Sequence, residues 1–186
     1  MTNLPSAAAA RHIPTLTTQR LVLRPYTSAD AEPLFGLLNE GDVLRYFPNP
    51  TPPSREQVGS WVSHFLAHWQ EQGYGWWALE QPGDPSLMGW CGLTFLPETG
   101  ETEVAYLLGR RHWGKGFASE AAAAALGFGF EQLALRRIIG LVHPDNRGSQ
   151  HVLEKVGMSF VDRSVYFGME LLRYWADRDT WLPAHR

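Results

Sequence analysis

The stretch Glu103-Val-Ala-Tyr-Leu-Leu108, followed after four residues by Trp113-Gly-Lys-Gly-Phe-Ala118, decides the fold of this 186-residue chain. The first segment is typical of a strand that carries Glu103 and Tyr106 on opposite faces. The second is a glycine turn that leads into Ser119–Leu135, a helix with only two charged residues. A helix that is apolar on nearly every side is buried on most faces, as when it packs against a sheet. Strand, glycine turn and buried helix together predict an α/β fold.

The patterns on both sides of this centre predict one mixed α/β domain. Apolar–polar alternation predicts seven strands, at Arg20–Tyr26, Gly75–Glu80, Leu87–Phe95, Glu101–Leu108, Arg137–Val142, Met158–Asp162 and Met169–Ala176. Helical periodicity predicts four helices, at Ala31–Asn39, Ser54–Gln72, Ser119–Leu135 and Asn146–Val156. Because three successive strands form a meander, we expect a mixed, mostly antiparallel central sheet of about seven strands with about four helices. We expect residues 1–14 to form a loose N-terminal tail and residues 15–182 to form the domain.

The composition excludes several classes of protein. Hydrophobic residues make up 44% of the chain, which is enough apolar surface for a core and excludes disorder as the main state. Acidic residues outnumber basic ones by 19 to 16, so the basic footprint of a nucleic-acid-binding protein is missing. No stretch approaches the roughly 20 apolar residues that span a bilayer. The single cysteine, Cys91, cannot form an internal disulfide, which fits a reducing cytoplasm. We therefore expect a cytoplasmic protein with no nucleic-acid and no membrane partner.

The glycine turn at residues 113–118 has the chemistry of an anion site. Glycines at the start of a helix allow close approach to the backbone, and the free amides of the first turn bind phosphate oxygens. A plain tight turn explains the same residues about equally well, since glycine-rich turns between strand and helix are common. The spacing matches neither a P-loop nor a dinucleotide fingerprint.

A second polar motif, His143-Pro-Asp-Asn-Arg-Gly-Ser149, lies at the end of a predicted strand. Asn146 and Ser149 are three residues apart and therefore share one face of the following helix. Ligands of α/β sheets bind at the carboxyl ends of strands, where these side chains are expected. Asn146 is equally suited to cap the helix. For Glu103, the strand pattern alone favours a solvated edge carboxylate over a catalytic one.

Taken together, these motifs resemble the GNAT superfamily of acyl-CoA N-acyltransferases. The resemblance rests on Glu-Val-Ala-Tyr-x-Leu, Trp-Gly-Lys-Gly-Phe-Ala-Ser-Glu-Ala121, Asn146-x-x-Ser and Glu154-Lys-Val-Gly-Met, in that order. The opening Thr18-x-Arg-Leu-x-Leu-Arg24 and the closing Tyr174-x-x-x-Arg-x-x-Trp181 resemble the branch of ribosomal-protein N-terminal acetyltransferases, the RimJ/RimL type. The resemblance covers the chain from Leu16 to about Trp181.

The resemblance implies that the protein uses acetyl-CoA. In the family, the backbone of the glycine turn holds the pyrophosphate of coenzyme A, and the preceding strand pairs with the pantetheine arm. Asn146 matches an asparagine that bonds the pantetheine, and Ser149 matches a hydroxyl near the thioester sulfur. The expected cofactor-binding residues are Tyr106, Leu107, Leu108, Arg110, Arg111, Gly114, Lys115, Gly116, Phe117, Ala118, Asn146 and Ser149.

The resemblance also implies direct transfer of the acetyl group to an amine, with Glu103 and Ser149 as the catalytic candidates. Glu103 matches a strand carboxylate proposed in some members as the base or as the group that positions the amine. His143 and water remain open as alternative bases. The reaction needs no metal, and the seven histidines show no ligand spacing with cysteines or carboxylates.

The acceptor is expected between the two N-terminal helices and the loop Tyr46-Phe-Pro-Asn49, and the candidate residues are Tyr46, Phe47, Trp76, Trp77 and Glu103. Such a wall suits an apolar N-terminal residue or an aromatic small molecule. An N-terminal α-amine of a protein or peptide is the favoured acceptor. The alternatives are a small amine (an amino acid, polyamine or antibiotic) and a non-catalytic acyl-CoA-binding module. A homodimer is expected only because dimers are the commonest assembly.

Overall fold

A mixed sheet of eight strands runs through the computed structural model, which describes residues 12–181. The strands are β1 (Leu16–Thr17), β2 (Val22–Arg24), β3 (Trp76–Gln81), β4 (Asp84–Leu96), β5 (Glu101–Leu108), β6 (Arg137–Val142), β7 (Ser159–Tyr166) and β8 (Met169–Asp177). Their spatial order is β1-β2-β3-β4-β5-β6-β8-β7, and β5 with β6 is the one parallel pair among them. The predicted α/β class and mostly antiparallel sheet are confirmed. The strand beyond the predicted seven is β1, which is only two residues long.

Four α-helices cover the two faces of this sheet. They are α1 (Ala31–Leu38), α2 (Arg55–Gln72), α3 (Phe117–Gly127) and α4 (Arg147–Lys155). The larger apolar cluster lies on the face covered by α3 and α4, and a second cluster lies beneath α1 and most of α2. Adjacent residues of a strand therefore enter different clusters, because successive side chains point to opposite faces.

Local chemistry defines the ends of α2. The Ser54 hydroxyl accepts a hydrogen bond from the Gln57 amide at 3.2 Å, and the Gln57 side chain accepts one from the Ser54 amide at 2.8 Å. This reciprocal pair is the capping box that the sequence predicts. The helix ends at Gly73, whose φ of 79° places it in the left-handed conformation that favours glycine.

The third helix ends earlier than its apolar pattern predicts. After Gly127 the chain continues as one π-helical turn, Phe128–Gln132, instead of an α-helix to Leu135. Gly129 lies in this wider turn against β6, where an added Cβ would be 2.6 Å from Ile138 Cδ1. Because Phe128, Gly129 and Phe130 continue the apolar run beyond Gly127, hydrophobicity alone did not reveal the change of helix type.

The parallel pair β5 and β6 is joined at a single register position, Glu103 opposite Ile139. Beyond it the carboxyl-terminal halves of the two strands face a cavity instead of each other. This opening in the middle of the sheet is the feature of the fold that positions the candidate site.

Residues 1–11 of the expected tail, and the last residue of the expected domain, lie outside the described residues. Within residues 12–181, no helix combines the length and the apolar character needed to cross a bilayer.

Candidate active site

Two adjoining cavities open where β5 and β6 separate. The first, of about 440 Å³, is lined mainly by the loop at residues 46–48 and by residues of β3 to β6, with no residue of α1 or α2, and we name it the acceptor cavity. The second, of about 250 Å³, extends toward the glycine turn and α4, and we name it the donor cavity. Five residues line both cavities: Tyr46, Phe47, Tyr106, Asn146 and Ser149. The two spaces are therefore one site with a common boundary.

The glycine turn beside the donor cavity has the geometry of an anion cradle. Gly114 and Gly116 have φ values of 71° and 81°, in the left-handed region that side chains disfavour. Gly116 is the N-cap of α3 and offers no side chain to the helix end. The amides of the first turn of α3 have no carbonyl partner within the helix, and the helix dipole adds positive potential there. These features fit a diphosphate group.

Arg20, which lies 95 residues before Lys115 in the sequence, holds the glycine turn in place. Its Nη1 donates to the Lys115 carbonyl at 3.0 Å, and its Nε pairs with the Glu120 carboxylate at 2.7 Å. The guanidinium also lies 4.7 Å from the centre of the Phe117 ring. Sequence reasoning placed Arg20 in a family motif without giving it a role, because a contact across 95 residues leaves no local pattern.

The structure separates the expected cofactor-binding residues into three groups. On the donor cavity lie Tyr106, Leu107, Leu108, Gly114, Ala118, Asn146 and Ser149. Lys115, Gly116 and Phe117 belong to the turn itself. Arg110 and Arg111 have protein partners instead: Arg110 is 3.5 Å from Asp42, and Arg111 Nε donates to His112 at 2.8 Å. Neither arginine lines the donor cavity.

Asn146 and Ser149 lie at the start of α4 with distinct contacts. The Asn146 side-chain oxygen accepts a hydrogen bond from the Ser149 amide at 3.1 Å, which is the N-cap contact. The capping interpretation of Asn146 is thus correct, and its side-chain NH2 has no partner within residues 12–181. That group is available to donate to a ligand in the donor cavity.

Tyr106 connects β5 to Ser149. Its hydroxyl is 2.7 Å from Ser149 Oγ and 3.1 Å from the Ser149 carbonyl oxygen. Burial raises the pKa of Tyr106 above its usual value, so the tyrosine remains protonated and able to donate. The sequence motif included Tyr106 only for its backbone, and the side-chain contact was not predicted.

Glu103 is buried, with 8% of its surface exposed, and it lies on the wall of the acceptor cavity. The interpretation as a solvated edge carboxylate is therefore wrong, because the strand is central and β6 covers it. Burial raises the pKa of Glu103 to about 8, and a hydrogen bond from the Leu141 amide opposes this rise. A carboxyl group with this pKa exchanges its proton near neutral pH.

His143, the alternative base, also lines the acceptor cavity. Its Nδ1 accepts a hydrogen bond from the Asp145 amide at 3.1 Å, so the neutral ring carries its proton on Nε2. The ring stacks on Tyr46 at a centroid distance of 5.3 Å. Because its one free lone pair is already engaged, His143 is poorly arranged to accept a proton from a substrate.

Of the four aromatic residues that the sequence predicts at the acceptor, three line the acceptor cavity: Tyr46, Phe47 and Trp76. The fourth, Trp77, does not. Trp77 is fully buried on the opposite face of the sheet, where its Nε1 donates to the Pro14 carbonyl at 2.7 Å. Adjacent residues of β3 point to opposite faces, so Trp76 and Trp77 could not both reach one pocket. We therefore remove Trp77 from the acceptor set.

Sequence reasoning missed Trp90 and Phe167, which both line the acceptor cavity. Trp90 is opposite Ala78 in the β3–β4 pair and so shares the face of Trp76. The turn between the two strands was predictable from Gln81-Pro-Gly-Asp-Pro85, and the hairpin register that follows from it would have revealed Trp90. Phe167 lies in the turn between β7 and β8, and no local signal connects that turn to the site.

Comparisons with known proteins agree on the family. A family model described as "Acetyltransferase (GNAT) domain" matches residues 20–159. The protein YkkB of Bacillus subtilis (strain 168) is 35% identical over 150 residues, covering 78% of this chain and 85% of that protein. The N-acetyltransferase YoaA of the same organism is 35% identical over 145 residues, covering 77% of this chain and 82% of that protein.

Solved structures are similar over nearly the whole chain. An acetyltransferase from Agrobacterium tumefaciens str. C58 has a TM-score of 0.79 at 29% identity, covering 95% of this chain and 98% of that chain. The ribosomal L7/L12 α-N-protein acetyltransferase RimL, solved with coenzyme A, has a TM-score of 0.73 at 17% identity, covering 86% of this chain and 95% of that chain. At that identity the likeness to RimL concerns the fold.

Proposed function

The chain belongs to the GNAT acetyltransferase family, and on that premise we propose that it acetylates the α-amine of a peptide or protein N-terminus. It is an acyltransferase that uses acetyl-CoA. The RimJ/RimL-type branch, to which its motifs are similar, acts on such α-amines. The observation that carries the proposal is the buried Glu103 carboxyl on the wall of the acceptor cavity.

The pKa of Glu103 suits an α-amine better than a lysine side chain. An α-ammonium group has a pKa of about 7.7–8.0, whereas a lysine ammonium has one of about 10.4. With its pKa raised to about 8, Glu103 takes a proton from an α-ammonium at almost no free-energy cost. Taking the proton from a lysine costs about 3 kcal/mol, at about 1.4 kcal/mol per pH unit. This difference favours acceptors with an α-amine.

In the proposed mechanism, the ionised form of Glu103, whose share of the enzyme rises as the pH approaches 8, receives the proton from the attacking nitrogen, directly or through one water molecule. Acetyl-CoA supplies an acetyl group activated as a thioester. The amine nitrogen forms the new bond to the acetyl carbon when it is held within about 3–3.5 Å of it. The carbon–sulfur bond then breaks, and Ser149 stabilises the departing sulfur by donating a hydrogen bond. A backbone amide of β5 stabilises the oxyanion between these steps.

Tyr106 is a positioning residue in this mechanism. Its single proton has two acceptors on one residue, the Oγ and the carbonyl oxygen of Ser149. When Tyr106 donates to the Oγ at 2.7 Å, the proton of the serine hydroxyl is free to point toward the sulfur. Ser149 then receives one hydrogen bond and gives another, which strengthens its donation.

Thiol release from acetyl-CoA, measured with a panel of amines, tests the proposal. The panel contains peptides with a free N-terminus, the same peptides blocked at the N-terminus but carrying lysine, free amino acids and a polyamine. We expect turnover with free N-termini and little with the blocked lysine peptides. Turnover on free amino acids, the polyamine or lysine side chains, with none on any peptide N-terminus, would overturn the proposal.

Calorimetric titration with acetyl-CoA separates the remaining alternative, a non-catalytic binding module. We expect binding of acetyl-CoA together with thiol release on addition of an acceptor. Binding without release on any amine of the panel would favour the binding module. Glu103→Gln is the matched variant for both measurements, because it keeps the size and the hydrogen-bond acceptor of the side chain and removes its titration. We expect it to bind acetyl-CoA and to release thiol more slowly.

A further inference from the structure

We propose that the acceptor begins with a large apolar residue, preferably an aromatic one, whose carboxyl group is in amide linkage, and that free amino acids are rejected. This inference rests on the proposed function and names the substrate class of the same site. It is carried by three observations: the rings on the cavity wall, the charges beside them, and the backbone of one turn.

The wall of the acceptor cavity is a set of interlocked rings. Phe47 and Trp76 each meet Trp90 edge to face, at centroid distances of 6.3 and 6.2 Å. Phe65 of α2 packs behind Trp76 at 4.8 Å and behind Trp90 at 6.5 Å. Rings that support each other in this way form a preorganised surface. Such a surface fits a flat apolar side chain and gives a small polar side chain such as serine little to contact.

The charges of the acceptor cavity favour an amine and disfavour a carboxylate. Its acidic lining residues are Glu98 and Glu103, its imidazole is that of His143, whose Nδ1 is engaged by the Asp145 amide, and no lysine or arginine of residues 12–181 lines it. In a free amino acid the carboxylate is attached to the same carbon as the attacking amine. It would therefore enter the cavity beside Glu103 without a cation to pair with, which is unfavourable. A peptide or amide presents a neutral group at the same position.

Phe167 is held at the cavity against the preferences of its backbone. It forms with Gly168 a two-residue turn, since Tyr166 pairs with Met169 on either side. Both turn residues have positive φ, 53° and 74°, a pattern in which asparagine and glycine are favoured and a bulky side chain is strained. Phe167 is also 54% exposed although it is aromatic.

A strained and exposed aromatic residue on a cavity wall indicates a binding role, because the contact of its ring with the neighbouring Tyr166, at a centroid distance of 6.4 Å, leaves more than half of it exposed. We therefore assign Phe167 the role of a specificity-determining residue that packs on an apolar acceptor. Phe160, at the opposite end of β7, offers a matched control. It is equally exposed at 54%, but it does not line the cavity.

The test compares four acceptors: a peptide that starts with phenylalanine, the same peptide starting with serine, phenylalanine amide and free phenylalanine. We expect kcat/KM at least tenfold higher for the phenylalanine peptide than for the serine peptide. We also expect it to be at least tenfold higher for the amide than for the free amino acid. Equal values within either pair would overturn the inference, while turnover on α-amines would still support the proposed function. No turnover on any of the four acceptors would contradict the proposed function itself.

The variants Phe167→Asn and Phe160→Asn separate binding from structure. Asparagine suits the turn, so Phe167→Asn is expected to keep or raise the thermal midpoint of unfolding. It is also expected to raise KM for the phenylalanine peptide at least fivefold, with KM for acetyl-CoA unchanged. Phe160→Asn is expected to leave both KM values unchanged. An unchanged peptide KM in Phe167→Asn, or an equal rise in both variants, would overturn the role of Phe167.

Discussion

Replacing Glu103 with glutamine is expected to stabilise the fold, and to do so more strongly as the pH rises. In the folded chain, burial raises the pKa of Glu103 from 4.5 to about 8. Between these values the unfolded chain releases the proton while the folded chain retains it. Stability therefore falls as the pH increases through this window, and this loss is complete above about pH 8.

The size of the effect follows from the same two values. At about 1.4 kcal/mol per pH unit, the rise in pKa corresponds to about 5 kcal/mol between pH 4.5 and pH 8. The side chain is only 8% exposed, so solvent screens this contribution little. Glutamine has nearly the same shape and still accepts a hydrogen bond from the Leu141 amide, but it does not titrate. The advantage of Glu103→Gln is thus small near pH 5 and largest above pH 8.

Urea unfolding of both proteins at five pH values from 5 to 9 measures this difference directly. Other titrating groups cancel, because the two proteins differ at one side chain. We expect the difference in unfolding free energy to grow by about 1.4 kcal/mol per pH unit up to about pH 8 and then to level off. Glu98→Gln, at an exposed position of the same cavity, is the control and should show no such growth. If the difference between Glu103→Gln and the unchanged protein is independent of pH, burial does not raise the pKa of Glu103. If the difference shrinks as the pH rises, the pKa of Glu103 is lowered in the folded chain instead of raised.

Three further predictions concern the hydrogen bond between Tyr106 and Ser149, the glycine turn and the buried Trp77. Tyr106→Phe is expected to lower kcat about tenfold with KM for acetyl-CoA unchanged, and to have no further effect on kcat in a Ser149→Ala background. Additive losses of kcat in this double-mutant cycle would show that Tyr106 does not act through its hydrogen bond to Ser149. Gly116→Ala is expected to weaken acetyl-CoA binding about fivefold or more in calorimetric titration, because its φ of 81° disfavours a side chain by about 1–2 kcal/mol; an unchanged Kd would argue against the anion cradle. Trp77→Phe is expected to cost about 1–3 kcal/mol of stability in urea unfolding and to leave acceptor KM unchanged; a selective rise of KM would return Trp77 to the acceptor set.

The sequence predicted the order of elements and the polar motifs, because strand alternation, caps and glycine turns are local signals. It did not separate Trp76 from Trp77, since both are aromatic and only their places on opposite faces of β3 distinguish them. The face of Glu103 was predictable, whereas its burial depends on β6, more than 30 residues later in the chain. Arg20 and Phe167 reach the site from the two ends of the fold, so their roles depend on tertiary contacts.

The boundary that the two cavities share has a thermodynamic consequence. Tyr46, Phe47, Tyr106, Asn146 and Ser149 line both cavities, so whatever occupies one cavity also fixes part of the wall of the other. We therefore expect the affinities for the two substrates to be coupled, with a coupling free energy that is the same whichever of them binds first. An acceptor that tightens acetyl-CoA binding by some factor must itself bind more tightly, by that same factor, to the protein loaded with acetyl-CoA. The opening between β5 and β6 thus allows each substrate to regulate the affinity for the other.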